Sequence, residues 1–216
     1  MADAQQPAAG SPDEIAPPDA ERLISDVETL KAISDPLRLR ILELMVTRPS
    51  SAWSVKELAA GLDVPPTRLY HHIELLVERD LLRSAEQRVV SGIIETRYRM
   101  AALSLRLDPS LVRGGGAGHS AAREMLTTIF DESRRDLEAI LAHPNLGDEP
   151  PLDRPFVIRS LARLTPDRAR ELRSRIEALL GEYDPQDLDD PGPAGASTYR
   201  LLIALYASPS KEASRD

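Results

Sequence analysis

The segment TRLYHHIELL, residues 67–76, places apolar residues with the period of a helix. Leu69, Ile73 and Leu76 stand at positions i, i+4 and i+7, which puts them on one face. At about 100° per residue, the polar side chains point away from that face or flank it. The pattern predicts a short helix that buries one side. The other side offers the polar side chains of Thr67, Arg68, Tyr70 and His71.

Helical spacing also occurs on the N-terminal side of this segment. A helix is predicted from Glu21 onward, and its apolar stripe consists of Leu23, Val27 and Leu30. A second helix is predicted in SDPLRLRILELM, residues 34–45, because Ser34 or Asp35 can cap it and Pro36 suits a first turn. Its predicted buried stripe consists of Leu37, Ile41, Leu44 and Met45.

The segment SVKELAAGL, residues 54–62, carries the signals of a third, short helix. Ser54 and Glu57 have the spacing of a capping box, and Gly61 is expected just after the helix end. Two residues later VPPT opens the helix at 67–76, with Pro66 where a missing N–H costs nothing. Two helices joined by a tight turn form a helix-turn-helix pattern.

After residue 82 the period changes from helical to alternating. LRSAEQRVV and IIETRYRM flank Ser91-Gly92, which predicts a β-hairpin. Three helices followed by a hairpin predict a winged helix over residues 21–106.

The C-terminal half is expected to contain a helix and a small β-α-β unit. Residues 107–120 read as a linker, because RGGGAG lacks the preceding strand and the following Gly-Lys-Ser/Thr of a phosphate loop. Residues 121–142 predict a helix with an apolar stripe at Leu126, Phe130, Leu137 and Leu141. FVIRSLARL and TYRLLIALYA predict strands on either side of a helix at 165–181. The fold class expected is mainly α with small β (α+β), with a C-terminal region at 121–207 and disordered tails at 1–20 and 208–216.

Charge and composition narrow the classes of function. The net charge is −8, yet residues 36–106 contain 11 Lys/Arg and 8 Asp/Glu, which makes this region net +3. Such an excess permits DNA binding without requiring it. The absence of cysteine excludes disulfides and thiolate metal sites, and the four histidines are scattered, so no metal and no cofactor are expected. No secretory signal and no apolar run long enough to span a membrane are present, so we expect a cytoplasmic protein.

The helix-turn-helix pattern gives the polar residues a function. Its second helix lies in the major groove of DNA, with its N-terminal residues over the base edges. The polar side chains at the start of the helix at 67–76 occupy that position. The helix before it offers Ser54 and Lys56 to a phosphate, and the hairpin offers Arg88 and Arg97 to the adjacent backbone. The predicted DNA-binding residues are Ser54, Lys56, Thr67, Arg68, Tyr70, His71, Arg88 and Arg97. His72 points nearer the packing side and is expected to be structural.

LKAISDPLRLRILELM (30–45), SVKELAAGLDVPPTRLYHHIELLVERDLL (54–82) and the hairpin ending ETRYRM resemble the bacterial ArsR-type winged-helix transcriptional regulators. The resemblance covers residues 21–100. It implies a homodimer that binds a two-fold operator, with the base-reading positions on Thr67, Arg68, Tyr70 and His71. We expect a repressor. Glu74 departs from the family, which often has a basic residue there. The lack of cysteine and the long C-terminal region favour a small organic effector, or none, over a metal.

Two other classes of function compete with this hypothesis. The first is a winged helix that only contacts other proteins. It fits the acidic residues that follow Arg68 and His71 in the second helix of the helix-turn-helix. An enzyme with an attached DNA-binding domain is disfavoured, because residues 107–216 contain no nucleophile elbow, no paired metal-ligand spacing and no phosphate loop. The two-fold contact of a dimer is expected from the helix after Glu21 or from the helix at 121–142.

Overall fold

The structure, a computed structural model, describes residues 17–90, 92–113, 115–142, 156–183 and 198–207. These residues fall into two compact units, one ending at Glu132 and the other beginning at Ser133. The helices are α1 (Val27–Ser34), α2 (Pro36–Val46), α3 (Val55–Leu62), α4 (Tyr70–Glu78), α5 (Gly116–Leu141) and α6 (Pro166–Gly181). The strands are β1 (Asp19–Ile24), β2 (Trp53–Ser54), β3 (Leu82–Val90), β4 (Ile93–Met100) and β5 (Ala102–Leu107), and two 3-10 turns span Pro66–Arg68 and Pro109–Val112.

The chain begins its fold with a strand, so the helix predicted from Glu21 is wrong. β1 pairs in parallel with β5, in a register that places Asp19 beside Ala102 and Ile24 beside Leu107. The helix starts only at α1, where the Asp26 side chain caps it by accepting a hydrogen bond from the Thr29 N–H. Because β1 reaches back to Asp19, the end of the predicted disordered tail is also wrong. Residues 1–16 lie outside the described residues.

α2 begins as the sequence predicts. The Asp35 side chain accepts hydrogen bonds from the backbone N–H groups of Leu37 and Arg38, and Pro36 occupies the first turn. Ser34 is not part of this cap, because it is the last residue of α1 and its hydroxyl donates to the Leu30 carbonyl at 2.8 Å. The core side of α2 consists of Leu37, Ile41, Leu42 and Met45, whereas Leu44 is only partly buried.

The capping box of α3 is confirmed, but the predicted helix stop is wrong. Gly61 lies inside the last turn of α3, where a Cβ would come within 2.6 Å of Leu44 Cδ2. Glycine therefore allows α2 and α3 to approach closely. The helix ends instead at Leu62, and the C-cap residue Asp63 has a φ of 53°, in the left-handed region.

The helix predicted at 67–76 and its apolar stripe are confirmed. A 3-10 turn, Pro66–Arg68, leads into α4, and Leu69, Ile73 and Leu76 are each no more than 1% exposed. These three side chains anchor α4 in the main core of the first unit.

The hairpin is confirmed as well, and it completes a winged helix. β3 and β4 pair antiparallel from Leu82 opposite Met100 to Val90 opposite Ile93, with one irregularity between Ser84 and Glu86. The short strand β2 pairs with β4, which gives a three-stranded sheet in the order β2-β4-β3. The fold is a mixed α+β fold whose helix-turn-helix is followed by helical and small sheet regions.

The linker predicted at 107–120 is wrong over much of its length. β5 reaches Leu107, a 3-10 turn follows, and α5 starts at Gly116. Leu111 packs against the core, and a Cβ on Gly118 would lie 2.2 Å from the Leu111 carbonyl oxygen. Glycine at 118 thus permits this turn to pack directly on α5. Gly115 and Gly116 instead have positive φ values of 79° and 80°, which glycine adopts readily.

α5 docks on the first unit through its N-terminal half. Ala121 and Ala122 join the core, and the Thr128 hydroxyl donates to the Ser34 carbonyl at 2.7 Å. The Ser34 hydroxyl lies 3.3 Å from the Ala121 carbonyl oxygen. The apolar stripe predicted on this helix is exposed in the described chain, at Leu126, Phe130, Leu137 and Leu141.

The second unit contains the predicted α6, capped by the Thr165 hydroxyl, but not the predicted β-α-β arrangement. Residues 156–165 and 198–207 form no strand, and their apolar side chains are exposed. A pair of strands is marginal in water, and alternation alone does not provide the partner that a strand needs. The loop at 143–155 and the tail at 208–216 lie outside the described residues.

Candidate nucleic-acid interface

The start of α4 projects a group of polar side chains from the first unit. All four are exposed: Thr67, Arg68, Tyr70 and His71. The exposed fraction of Tyr70 is 51%. Leu69 lies between them in the sequence and is fully buried, so it fixes the backbone from which they project. Within the described part of the chain, the Arg68 guanidinium has no hydrogen-bond or ion-pair partner. The structure therefore brings these predicted residues together on one accessible surface.

His72 is half-buried and contacts the start of α2, in line with its predicted structural role. Its Nδ1 lies 3.6 Å from Asp35 Oδ1 and 3.5 Å from the Arg38 guanidinium. Burial lowers the pKa of His72 below its usual value. Asp35 opposes this shift and Arg38 adds to it. Arg38 also donates to the carbonyls of Lys31 and Ala32, so these contacts tie α4 to the junction of α1 and α2.

Two predicted DNA contacts, Ser54 and Arg97, have other partners in the structure: Ser54 is buried, and the half-buried Arg97 is held by carboxylates. Ser54 is 2% exposed, and its hydroxyl accepts from the Glu57 N–H at 3.2 Å. Arg97 lies 2.8 Å from Glu57 and 3.1 Å from Glu86, and it also donates to the Ala52 carbonyl. Burial alone would raise the pKa of Glu57, but hydrogen bonds from Ser54 and Arg97 outweigh it and lower that pKa. The Ser54 hydroxyl therefore caps α3, and Arg97 joins α3 to the hairpin.

Lys56 and Arg88 remain on the surface. The Lys56 side chain is 71% exposed and its Nζ lies 3.4 Å from Glu95. The Arg88 side chain is 60% exposed and forms an ion pair with Glu86 at 2.9 Å. Exposed pairs of this kind contribute little to stability and exchange partners readily. Both cations are therefore accessible to an anion.

Acidic side chains lie on the exposed surface after this polar turn. Glu74, Glu78 and Asp80 are exposed along its C-terminal half and end. Burial raises the pKa of the Tyr98 phenol, and the nearby charges of Glu74 and Tyr70 add to this effect. The charge of Glu74 is therefore felt at Tyr98 on β4.

Sequence reasoning missed Arg48. Its guanidinium carbon lies 3.9 Å from the centroid of the Trp53 ring, in cation–π geometry. Neither residue has a motif or a spacing that points to the contact, because a turn brings them together.

Among the described residues, no group of three or more His, Asp or Glu side chains is placed to hold a metal ion. No helix in the described ranges has both the length and the apolar character to cross a membrane.

Comparison with known proteins agrees with this geometry. Residues 33–85 match the family model of a helix-turn-helix domain, which covers less than half of the chain. The matched segment runs from the end of α1 through α2, α3 and α4 into β3. No curated protein matches the chain. The domain match and the accessible face of α4 support a DNA-binding regulator.

Proposed function

We propose that the protein is a sequence-specific transcriptional repressor of the ArsR type, which acts in the cytoplasm as a homodimer on a two-fold operator. The accessible polar turn at the start of α4 carries this proposal. In a helix-turn-helix this turn reaches the base edges of the major groove. Arg68 has the planar, bidentate donor that suits guanine, while Thr67, Tyr70 and His71 add shorter polar groups around it.

The surrounding cations orient the domain on the DNA backbone. Lys56 lies in the first turn of α3, the helix that crosses the backbone in this class of domain. Arg88 lies on the hairpin. Phosphate contacts of this kind set the position of the protein and make its affinity salt-dependent, but they carry no sequence information. Ser54 and Arg97 are left out of the proposed interface, because the Ser54 hydroxyl caps α3 and the Arg97 guanidinium pairs with Glu57 and Glu86.

Two arguments support the proposed homodimer. A single helix-turn-helix contacts too little DNA for tight specific binding, and paired half-sites about 34–36 Å apart are the usual solution. α5 also carries an exposed apolar stripe, in which Leu126 and Phe130 are 48% and 50% exposed. A two-fold contact through α5 covers this stripe and leaves both copies of α4 free.

One observation favours a second candidate function. Glu74, Glu78 and Asp80 make the later part of α4 acidic, and acidic side chains repel phosphates. A winged helix that docks on a basic protein surface accommodates them better. This alternative predicts no complex with duplex DNA at low salt.

Binding to duplex DNA across a series of salt concentrations tests the proposal. A duplex selected from a random pool provides the specific ligand, and fluorescence anisotropy provides the affinity. We expect the logarithm of the binding constant to fall linearly with the logarithm of salt concentration. Arg68→Ala should weaken binding by about 1–3 kcal/mol and relax the preference at one base pair.

The matched control is Arg123→Ala, which removes one exposed arginine on α5. It changes the net charge equally and should leave sequence preference unchanged. An Arg68→Ala loss that is the same for every duplex would assign Arg68 to a phosphate instead of a base. If neither the selected duplex nor any other duplex binds the unmodified protein, the DNA-binding function is refuted.

A further inference from the structure

A polar cavity of about 230 Å³ lies at the base of the hairpin. It is bordered by the turn after α2, by the first turn of α3 and by both strands of the hairpin. Arg48, Ser51 and Trp53 come from the turn and from β2, whereas Arg88 and Arg97 come from the hairpin. The function proposed above makes no use of Arg48 or Ser51.

Arg48 is held in a fixed position at this cavity. Its guanidinium stacks on Trp53, and Trp53 is only 4% exposed, so the aromatic surface is part of the core. The backbone on either side is closed by hydrogen bonds from the Arg48 N–H to the Met45 carbonyl and from the Ser51 N–H to the Arg48 carbonyl. Stacking uses the face of the guanidinium and leaves its N–H donors at the edge free. In the described chain, no carboxylate pairs with Arg48.

The charges around the cavity do not cancel. Two carboxylates border it, Glu57 and Glu86, and Arg97 lies between them within 3.1 Å of both. Arg88 pairs with Glu86 at 2.9 Å. Three guanidinium groups therefore meet two carboxylates, and the positive charge left over belongs to Arg48. In a protein of net charge −8, an uncompensated cation in a polar cavity favours an anionic ligand.

We propose that Arg48, with the Ser51 hydroxyl and Arg88 beside it, binds a phosphate of the DNA backbone. This inference rests on the DNA-binding function proposed above and assigns a contact that it lacks. The first helix of a helix-turn-helix crosses the backbone, and the first turn of α3 borders this cavity. A planar guanidinium donates two parallel hydrogen bonds to a phosphate, and the stack on Trp53 fixes its orientation in advance.

Arg48→Gln tests the contact, with Arg106→Gln as the matched control. Arg106 is also an exposed arginine of the first unit, but it pairs with Glu21 on β1. In Arg48→Gln, we expect the slope of log binding constant against log salt to become shallower by about 0.9, the value for one phosphate on duplex DNA. Affinity should fall about tenfold, and equally for specific and random duplexes. Arg106→Gln should change neither quantity.

The unmodified protein allows a second measurement that does not depend on how the variant folds. Phenylglyoxal modifies accessible arginines, and mass spectrometry gives the rate at each site. Duplex DNA should slow the modification of Arg48 and leave that of Arg106 unchanged. Equal rates at Arg48 with and without DNA, together with an unchanged salt slope in Arg48→Gln, would overturn this inference. If the unmodified protein still binds duplex DNA and Arg68→Ala still weakens it, the proposed function survives that result.

Free phosphate presents the same chemistry as the backbone, and Trp53 separates the two sources. It is the single tryptophan of the chain, and its ring lies under Arg48. Duplex DNA should change its fluorescence, whereas millimolar inorganic phosphate at constant ionic strength should not. A saturable response to inorganic phosphate that is absent in Arg48→Gln, with an unchanged salt slope for DNA, would identify a free-anion site and overturn the backbone contact.

Discussion

Two adjacent threonines on α5 test how this helix is attached to the helix-turn-helix. The Thr128 hydroxyl is buried and donates to the Ser34 carbonyl at 2.7 Å. The Thr127 hydroxyl is exposed and donates to the Arg123 carbonyl of its own helix at 2.9 Å. Threonine to valine replaces the hydroxyl by a methyl group of similar shape and keeps the branch at Cβ. The same substitution therefore removes a buried hydrogen bond at position 128 and an exposed one at position 127.

The expected magnitudes differ because the two acceptors differ. Ser34 ends α1, so its carbonyl has no partner within that helix, and Thr128→Val leaves it buried and unsatisfied. Such a loss costs about 1–3 kcal/mol of the free energy of unfolding. The Arg123 carbonyl lies inside α5 and keeps its backbone hydrogen bond, so Thr127→Val should change that free energy by less than about 0.5 kcal/mol.

Urea unfolding followed by the fluorescence of Trp53 measures both variants. Trp53 lies in the core of the first unit, so the signal reports the unit to which α5 is attached. The dependence on urea concentration should have the same slope in all three proteins, so that a shift of the midpoint measures stability alone. Equal midpoints for the two variants would refute the buried contact between α5 and Ser34.

Three further substitutions test the site and the assembly. Glu74→Lys should strengthen binding to random duplexes and steepen the salt dependence, because it replaces an anion by a cation on the proposed major-groove helix itself. Affinities unchanged at low salt would place residue 74 outside the field of the phosphates. His72→Gln should flatten the dependence of stability on pH. Burial lowers the pKa of His72 in the folded protein, so the unfolded chain takes up a proton first as the pH falls. The free energy of unfolding of the unmodified protein should therefore fall as the pH drops below about 6.5, the usual pKa of histidine. Urea unfolding at pH 7.5, 6.5 and 5.5 should show that fall in the unmodified protein and a smaller one in the variant; equal profiles would contradict the burial of His72. Phe130→Asp should dissociate the proposed dimer in light scattering, whereas Thr127→Asp on the same helix should not; an unmodified protein that is monomeric at micromolar concentration would exclude the dimer.

The parts of the fold that the sequence predicts are those set by neighbouring residues. The stripe of Leu69, Ile73 and Leu76 has a helical period, and the capping box of Ser54 and Glu57 closes over three residues. The hairpin also pairs residues that are close in the chain. Each of these signals lies within one short window, so periodicity and capping rules detect it.

The errors arise where a distant partner decides the structure. Leu23 has helical spacing with Val27, yet the residues around it form β1 because β5 offers a strand about eighty positions later. Gly61 reads as a helix stop, but its role is to admit Leu44 of a neighbouring helix. FVIRSLARL alternates like a strand but pairs with no strand among the described residues. In each case the deciding contact is absent from the local pattern.

The candidate site divides in the same way. The exposed turn at Thr67, Arg68, Tyr70 and His71 follows from the period of α4, because the face opposite a buried stripe is accessible. Arg97 lies on the hairpin as predicted, but two carboxylates from separate elements draw it inward. Arg48 could not be identified from the sequence, because its contact with Trp53 depends on the turn that joins α2 to β2.

The parallel pairing of β1 with β5 determines when this domain can be completed during synthesis. Ile24 pairs with Leu107, so the first strand leaves the ribosome long before its partner exists. At about 5–20 residues per second, this delay lasts roughly 4–17 s. During that time α1 to α4 and the hairpin can form from contacts that are closer in the chain, whereas β1 can pair only after β5 has been made. Protein that is released early, before Ala102, ends with a helix-turn-helix and hairpin whose N-terminal strand has nothing to pair with, and this strand is then exposed to proteases and to other chains.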